Sequence, residues 1–157
     1  MSDSDNLFNM MRRMPIFAGL SDSALALIVD QSVPIKVQAG DHFFLEGDPA
    51  SSFFVIKSGV VLVEKSWRGT PIKLRRLGIG DCVGEMSIID LMGRSASVRA
   101  ETDCQAIEIQ RATLTKLYQQ DLEQYAIIMM NMGREVSRRL RSASERLFAI
   151  EQTTPKE

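Results

Sequence analysis

The chain has 157 residues, of which 45% are hydrophobic and 25% are charged, so one globular domain with one additional long element is expected. A net charge of −1 excludes a global field that would attract nucleic acid or acidic membranes. One histidine and two cysteines without metal-ligand spacing argue against a zinc site, and no apolar run reaches membrane-spanning length.

The N-terminal segment MSDSDNLFNMMRRMP lacks the sustained apolar stretch of a secretion signal. We therefore expect a cytoplasmic protein with no membrane contact. In that compartment Cys82 and Cys104 are expected to be buried thiols rather than a disulfide.

Two helices are predicted before the β-rich part of the chain. Residues 6–13 form the first helix, which Pro15 stops, within a helical lead-in at residues 1–16. The second helix follows Ser21, a favourable N-cap, and places Leu25, Ile28 and Val29 on one face.

Short β-rich runs separated by glycine-containing turns begin at Val33, within a domain that we place at residues 17–120. The turns lie at residues 39–41, 46–49, 58–59, 68–70 and 78–81. Turns that recur roughly every 8–12 residues are typical of a sandwich or barrel. Arg68 and Gly69 are expected at the tip of a long hairpin. Residues 95–110 alternate in polarity and are expected to form a further strand pair.

The C-terminal part of the chain is predicted to be helical. A short helix is expected at residues 113–119, and a long one at residues 121–151, followed by a disordered tail at 152–157. The long helix carries an apolar stripe with the spacing of a coiled-coil seam, formed by Met129, Met132, Val136, Leu140, Ala143, Leu147 and Ile150. The stripe therefore predicts a parallel two-fold homodimer.

The segment GEMSIIDLMGRSASVRA, residues 84–100, places Glu85 and Arg94 each directly after a glycine. If it contains a short helix entered from Gly84, the first N–H groups of that helix suit an anion. A guanidinium suits phosphate oxygens, and a carboxylate suits hydroxyl donors. Residue type and spacing leave two interpretations open. Glu85 and Arg94 pair with each other at the sheet rim, or they bind a ribose phosphate.

The same residues resemble the phosphate-binding cassette of the cyclic nucleotide-binding domain family, of the type found in catabolite activator proteins and cyclic-AMP-dependent kinase regulatory subunits. Gly40, Gly47, Gly59 and Gly80 also match the turns of that family's β-roll, and the resemblance covers residues 17–150. It implies a mainly β fold with flanking helices, in which a double-stranded β-helix, a jelly-roll-like β-roll, is followed by a long C-terminal α-helix.

The resemblance also implies a set of ligand-binding residues. Arg94 would hold the cyclic phosphate, with Ser95 and Ala96 offering backbone N–H groups. Glu85 would take the ribose 2′-hydroxyl, with the Gly84 carbonyl nearby. Met86 and Ser87 follow within the cassette, where Ser87 replaces the family's usual Ala or Gly.

Two residues of the long helix complete the predicted site. In activator-type members an arginine of this helix pairs with the cassette glutamate, so Arg139 is expected to hold Glu85. A serine farther along the helix meets the adenine amino group, and Ser144 occupies that place, although Ala143 replaces the threonine expected before it. This favours cyclic AMP over cyclic GMP as the ligand.

The function implied is a cyclic-nucleotide receptor, not an enzyme, that relays ligand binding to an unidentified protein partner through rearrangement of the long helix. Activator-type members continue into a helix-turn-helix domain. No recognition helix fits after Ile150 here, so no specific DNA binding is expected. Two alternative interpretations remain open. One is a sensor fragment of a larger regulator. The other is a cupin-like metal enzyme, whose chemistry would need several histidine and carboxylate ligands.

Overall fold

A computed structural model describes residues 2–155. The helices among them are α1 (Asp3–Arg12), α2 (Asp22–Gln31), α3 (Glu85–Asp90), α4 (Arg111–Gln120) and α5 (Leu122–Thr153), with a 3₁₀ turn at Pro15–Phe17. The strands are β1 (Val33–Val37), β2 (His42–Phe44), β3 (Ser52–Ser58), β4 (Val61–Trp67), β5 (Thr70–Leu77), β6 (Cys82–Val83), β7 (Ser97–Ala100) and β8 (Cys104–Gln110).

The eight strands form two four-stranded antiparallel sheets, with strand orders β1-β8-β3-β6 and β2-β7-β4-β5. Helices α1, α2, α4 and α5 flank this β-roll, which confirms the predicted fold class. The predicted hairpin tip is also confirmed. Arg68 and Gly69 both have positive φ, 49° and 80°, as a two-residue turn between twisted strands requires.

The prediction that residues 95–110 form one strand pair is wrong. Strand β7 pairs with β2 and β4, whereas β8 pairs with β1 and β3 in the other sheet. The connection between them turns across the roll instead of forming a hairpin, because Glu101 and Thr102 donate their backbone N–H groups to the Val60 carbonyl. Gly59 permits this crossing, since a Cβ there would lie 2.4 Å from the Asp103 carbonyl oxygen.

The core has two layers that share strand β3. Its run of apolar residues is buried on both faces, with Phe54 and Ile56 inside the roll and Phe53 and Val55 packed against the helices. The helical layer includes Met11, Phe17, Leu25, Ile28, Leu114, Leu117, Ile128 and Met132. Both cysteines are buried as free thiols, as expected.

Helix α5 begins after Asp121, whose side chain accepts a hydrogen bond from the Gln124 N–H. It continues to Thr153, so Gln152 and Thr153 are helical and our assignment of them to a disordered tail is wrong. The last two residues of that predicted tail lie outside the described residues. No helix in the described part of the chain combines the length and apolar character needed to cross a membrane.

Candidate ligand-binding site

The predicted cassette forms a short helix, α3, bounded by two left-handed residues. Gly84 enters it with φ 81°, and Leu91 ends it with φ 60°. Glycine adopts the left-handed conformation of residue 84 without strain. Gly84 also lies against the Arg94 guanidinium, where a Cβ would come within 2.4 Å of Arg94 Nη1. Because Gly84 has no side chain, it leaves room for the Arg94 guanidinium.

Arg94 is buried, with only 6% of its surface exposed, and has no carboxylate partner among the described residues. Its Nη1 donates to the Ser52 carbonyl at 2.8 Å and to the Gly84 carbonyl at 3.2 Å. Its Nη2 makes only a 3.5 Å contact with Ser52 Oγ, and its Nε has no partner in the described structure. The Nε and Nη2 edge of the guanidinium thus has hydrogen-bonding capacity that the described residues leave largely unused.

An aromatic ring supports the Arg94 side chain, and the turn before β3 holds the Arg94 backbone. Its Cζ lies 4.0 Å from the centre of the Phe44 ring. Its backbone N–H donates to the Asp48 carbonyl, and its carbonyl accepts from the Gly47 N–H, both at 2.9 Å. The cassette arginine is therefore fixed from residues about 45 positions away in sequence.

Glu85 is also buried but is held by the C-terminal helix. Arg139 Nη1 donates to Glu85 Oε1 at 2.7 Å, so the predicted contact between these residues is present. The same guanidinium donates from Nη2 to the Cys82 carbonyl at 2.7 Å and from Nε to Glu135 Oε1 at 3.1 Å. Arg139 therefore ties α5 to both the strand before the cassette and the first residue of α3.

The alternative interpretation, an ion pair between Glu85 and Arg94, is not observed. The two side chains flank Gly84 and point to different partners, Arg139 for the acid and the Ser52 carbonyl for the base. Burial raises the pKa of Glu85, with Arg139 acting in the opposite direction. Burial lowers the pKa of Arg94 because a charged guanidinium is poorly solvated there. A bound anion would relieve that cost.

The remaining predicted site residues differ in burial and in hydrogen bonding. Ser87 is buried and its hydroxyl donates to the Gly93 carbonyl at 3.3 Å, while Met86 and Ser95 are exposed beside it. Ala96 is buried just before β7. Ser144 is exposed on α5, and its hydroxyl makes no hydrogen bond to the cassette within the described part of the chain.

Sequence reasoning missed three residues that brace the cassette. Ser52 supplies both of its oxygens to Arg94. Arg111 Nη2 donates to the Ser87 and Ala50 carbonyls, each at 3.1 Å, and so links α4 to the cassette. Lys65 Nζ donates to the Ser95 carbonyl at 3.0 Å. No local signal marks them, because each hydrogen bond joins residues distant in sequence.

These features define a class of protein: a β-roll that places a carboxylate and an uncompensated guanidinium beside a short helix and links them to a long C-terminal helix. Such a site suits binding of an anionic ligand that also carries hydroxyl groups. Among the described residues, no three His, Cys, Asp or Glu side chains gather as a metal site would require.

Comparison of the sequence with models of known protein families identifies the family of this chain. A model of the cyclic nucleotide-binding domain matches residues 34–121, which is more than half of the chain. The chain belongs to the cyclic nucleotide-binding domain family.

Two relatives and one solved structure illustrate the similarity. The chain is 30% identical over 107 residues to a cAMP-dependent protein kinase regulatory subunit of Emericella nidulans, covering 68% of this chain and 26% of that protein. It is 30% identical over 139 residues to a CRP-like cAMP-activated global transcriptional regulator of Mycobacterium tuberculosis, covering 88% of this chain and 60% of that protein. The chain thus spans about a quarter to three fifths of the length of these relatives.

The fold also matches the crystal structure of a cyclic nucleotide-binding domain from Methylobacillus flagellatus. The TM-score is 0.82 at 21% identity, and the match covers 98% of this chain and 85% of that one. At this identity the likeness concerns the fold, and it extends over both the roll and the long helix.

Proposed function

We propose that the chain is a receptor that binds cyclic AMP reversibly, and cyclic GMP less tightly, and relays binding to a protein partner through α5. The observation that carries the proposal is Arg94, a buried guanidinium with no carboxylate partner in the described structure and with a free Nε. The two relatives described above are named for cAMP, which supports that choice of ligand.

The chemistry of the site follows from its donors and acceptors. The Nε and Nη2 edge of Arg94 takes two oxygens of the cyclic phosphate, and the backbone N–H groups of Ser95 and Ala96 take others. Glu85, an acceptor when ionised, takes the ribose 2′-hydroxyl. In this proposal the ligand is bound and released unchanged.

The relay rests on the shared position of Glu85. Its carboxylate accepts from Arg139 of α5 and, in the proposal, from the ribose on its other side. A ligand that strengthens or weakens this contact changes how firmly α5 is held, and by linkage the position of α5 changes the affinity for the ligand by the same factor. The proposal further includes a homodimer through the exposed stripe of α5, with Ser144 meeting the adenine amino group as the family resemblance implies.

The direct test is calorimetric titration of the chain with cyclic AMP and cyclic GMP, repeated with Arg94→Leu. Truncating one partner of a buried charge-assisted contact costs about 2–5 kcal/mol, or roughly 30-fold to several thousand-fold in affinity. Arg141→Leu, an exposed arginine on α5, serves as the matched control and should bind like the parent. Parental affinity in Arg94→Leu would show that the cassette assignment is wrong.

A further inference from the structure

Two consecutive peptide units follow the cassette arginine, and the carbonyl of each is bound from outside the cassette. The Arg94 carbonyl accepts from the Gly47 N–H at 2.9 Å, and the Ser95 carbonyl accepts from Lys65 Nζ at 3.0 Å. The N–H groups of the same two units, on Ser95 and Ala96, donate to no acceptor within the described residues. Ala96 is buried, and the N–H groups of buried residues normally have partners. This N–H is therefore suited to an acceptor from outside the chain.

The geometry of the peptide bond couples the two ends of each unit. A trans peptide unit is planar, so its C=O and its N–H point in opposite directions, and the described residues contain no cis peptide bond. The contact of Lys65 with the Ser95 carbonyl therefore also fixes the direction of the Ala96 N–H. If this unit turned over, it would present its carbonyl oxygen to an anion instead of a donor. A cation at the oxygen also polarises the unit and strengthens its N–H as a donor.

Lys65 is itself held in place by Glu46. Lys65 Nζ lies 3.1 Å from Glu46 Oε1, and Glu46 Oε2 accepts from the Ser66 N–H at 3.3 Å. The Glu46 N–H donates to Ser97 Oγ at 2.8 Å, so the same residue is tied to the chain just after Ala96. The Lys65 side chain is 51% exposed, and an ion pair this exposed contributes little to stability. A substitution of Lys65 is thus expected to leave the chain folded.

We propose that Lys65 is a positioning residue of the ligand site, which orients the Ser95–Ala96 peptide unit so that its N–H is aimed at the phosphate of the nucleotide. This inference rests on the proposed function, because it concerns how that phosphate is held. Lys65 contacts the peptide carbonyl and not the ligand, whereas Arg94 supplies the direct ionic contact. The Gly47 contact on the preceding unit comes from the backbone, so Lys65 is the member of the pair that a side-chain substitution can test.

The test compares calorimetric titrations of three lysine variants with cyclic AMP. Lys65→Met removes the ammonium group but keeps an unbranched side chain, and we expect it to bind about tenfold more weakly than the parent. Lys65→Arg keeps the charge and a donor and should recover most of the affinity. Lys73→Met is the matched control, since Lys73 is exposed on β5 and makes no hydrogen bond or ion pair in the described part of the chain. It should bind like the parent.

Two further measurements separate orientation of the peptide from a general effect of positive charge. The field of an exposed cation is screened within about 3 Å at an ionic strength of about 1 M, so the loss in Lys65→Met should persist there if it arises from orientation. In ¹H–¹⁵N spectra, cyclic AMP should move the Ala96 amide proton downfield in the parent and in Lys65→Arg. The shift should be clearly smaller in Lys65→Met.

The outcomes distinguish this inference from the receptor proposal. Parental affinity in Lys65→Met, a loss that disappears at high salt, or an equal Ala96 shift in Lys65→Met and the parent would each overturn the positioning role. If Arg94→Leu loses affinity in the same assay and Lys65→Met does not, the receptor proposal stands and the role of Lys65 is rejected. If the parent binds neither cyclic AMP nor cyclic GMP, the receptor proposal fails and the role of Lys65 fails with it.

Discussion

At the cassette, a single glycine decides where a charged side chain can lie. Gly84 has a left-handed φ of 81°, and its Cα faces Arg94 Nη1 so closely that no Cβ fits between them. Gly133 in α5 has the opposite surroundings, with open space around it. The two glycines form a matched pair for testing the site.

We expect Gly84→Ala to weaken cyclic-nucleotide binding at least tenfold while the chain stays folded. The methyl group would collide with Arg94, and a non-glycine residue at this φ costs roughly 1–2 kcal/mol. Gly133→Ala should keep parental affinity and gain up to about 1 kcal/mol in free energy of unfolding. Calorimetric titration and urea denaturation measure both effects. A Gly84→Ala chain that binds like the parent would contradict this account of the cassette.

A second residue-scale prediction concerns pH. Burial raises the pKa of Glu85 in the folded chain, and only its ionised form can accept from both Arg139 and a ribose hydroxyl. Affinity for the nucleotide should therefore fall as pH falls, starting above the ordinary glutamate value of about 4.3. Titrations between pH 7 and pH 5 measure this fall.

The contribution of Glu85 to the free energy of unfolding should change with pH in the opposite direction to the affinity. Because the folded pKa of Glu85 exceeds the unfolded one, the folded state binds more protons in that window, and lowering the pH raises this residue's contribution to the free energy of unfolding. Glu85→Gln should remove both dependences. If the parent and Glu85→Gln show the same pH profile of affinity, Glu85 does not act as the acceptor.

At the scale of elements, α5 changes character along its length. Its first half is packed, with Ile128 and Met132 fully buried, whereas Leu140, Leu147 and Ile150 are 65%, 59% and 60% exposed. The second half still touches the roll through polar contacts. Arg75 Nη2 donates to the Arg139 carbonyl at 3.0 Å, and Arg146 Nη1 donates to the Leu74 carbonyl at 2.7 Å. The polar side of this half thus faces β5, and its apolar side is open.

We expect Leu140→Asp to yield a folded monomer that binds nucleotide more weakly than the parent, because a carboxylate in an apolar seam is poorly solvated. Ala149→Asp, exposed on another face of α5, is the control and should leave a dimer. Light scattering gives the mass and calorimetry the affinity. If Leu140→Asp is monomeric with parental affinity, α5 dimerises without reporting on the ligand. If the parent itself is monomeric at high concentration, the seam prediction fails.

At the scale of the whole molecule, one helix touches three separate parts of the fold. Through Asn131, Arg139 and Arg146, α5 contacts the 3₁₀ turn, the cassette and β5. Each contact ends on a backbone carbonyl or a buried carboxylate, so the helix cannot shift without exchanging several hydrogen bonds. We therefore expect any rearrangement of α5 to involve the three regions together.

The overall charge leads to a further prediction at this scale. With 19 basic and 20 acidic residues, the chain has no net positive field, so we expect any binding to duplex DNA to be weak and salt-sensitive. Weak binding that disappears as the salt concentration rises is compatible with this expectation, because scattered arginines release counterions from any duplex. Anisotropy titrations at two salt concentrations separate the cases. Specific binding that persists at the higher concentration would contradict the prediction.

Much of the fold could be predicted from the sequence because its signals are local. Positive-φ glycines mark turns, so residues such as Gly40, Gly47 and Gly80 were placed correctly, and the Arg68–Gly69 tip was predicted from its dipeptide. The cassette helix and the Arg139 contact with Glu85 were expected from the motif and its resemblance to a known family. Steric preferences of single residues determined the turns, whereas the Arg139 contact was expected only from the resemblance.

Tertiary structure alone decided which sheet each strand joins and which partner each charge finds. The alternation of residues 95–110 gave two strands but could not show that β7 and β8 separate, because the Val60 carbonyl that turns the chain lies 41 residues before Glu101. Likewise the Ser52 carbonyl accepts from Arg94, and Arg111 donates to the Ser87 carbonyl, only because the closed roll brings these residues together. A hydrogen bond between distant residues depends on the path of the whole backbone, which no local pattern specifies.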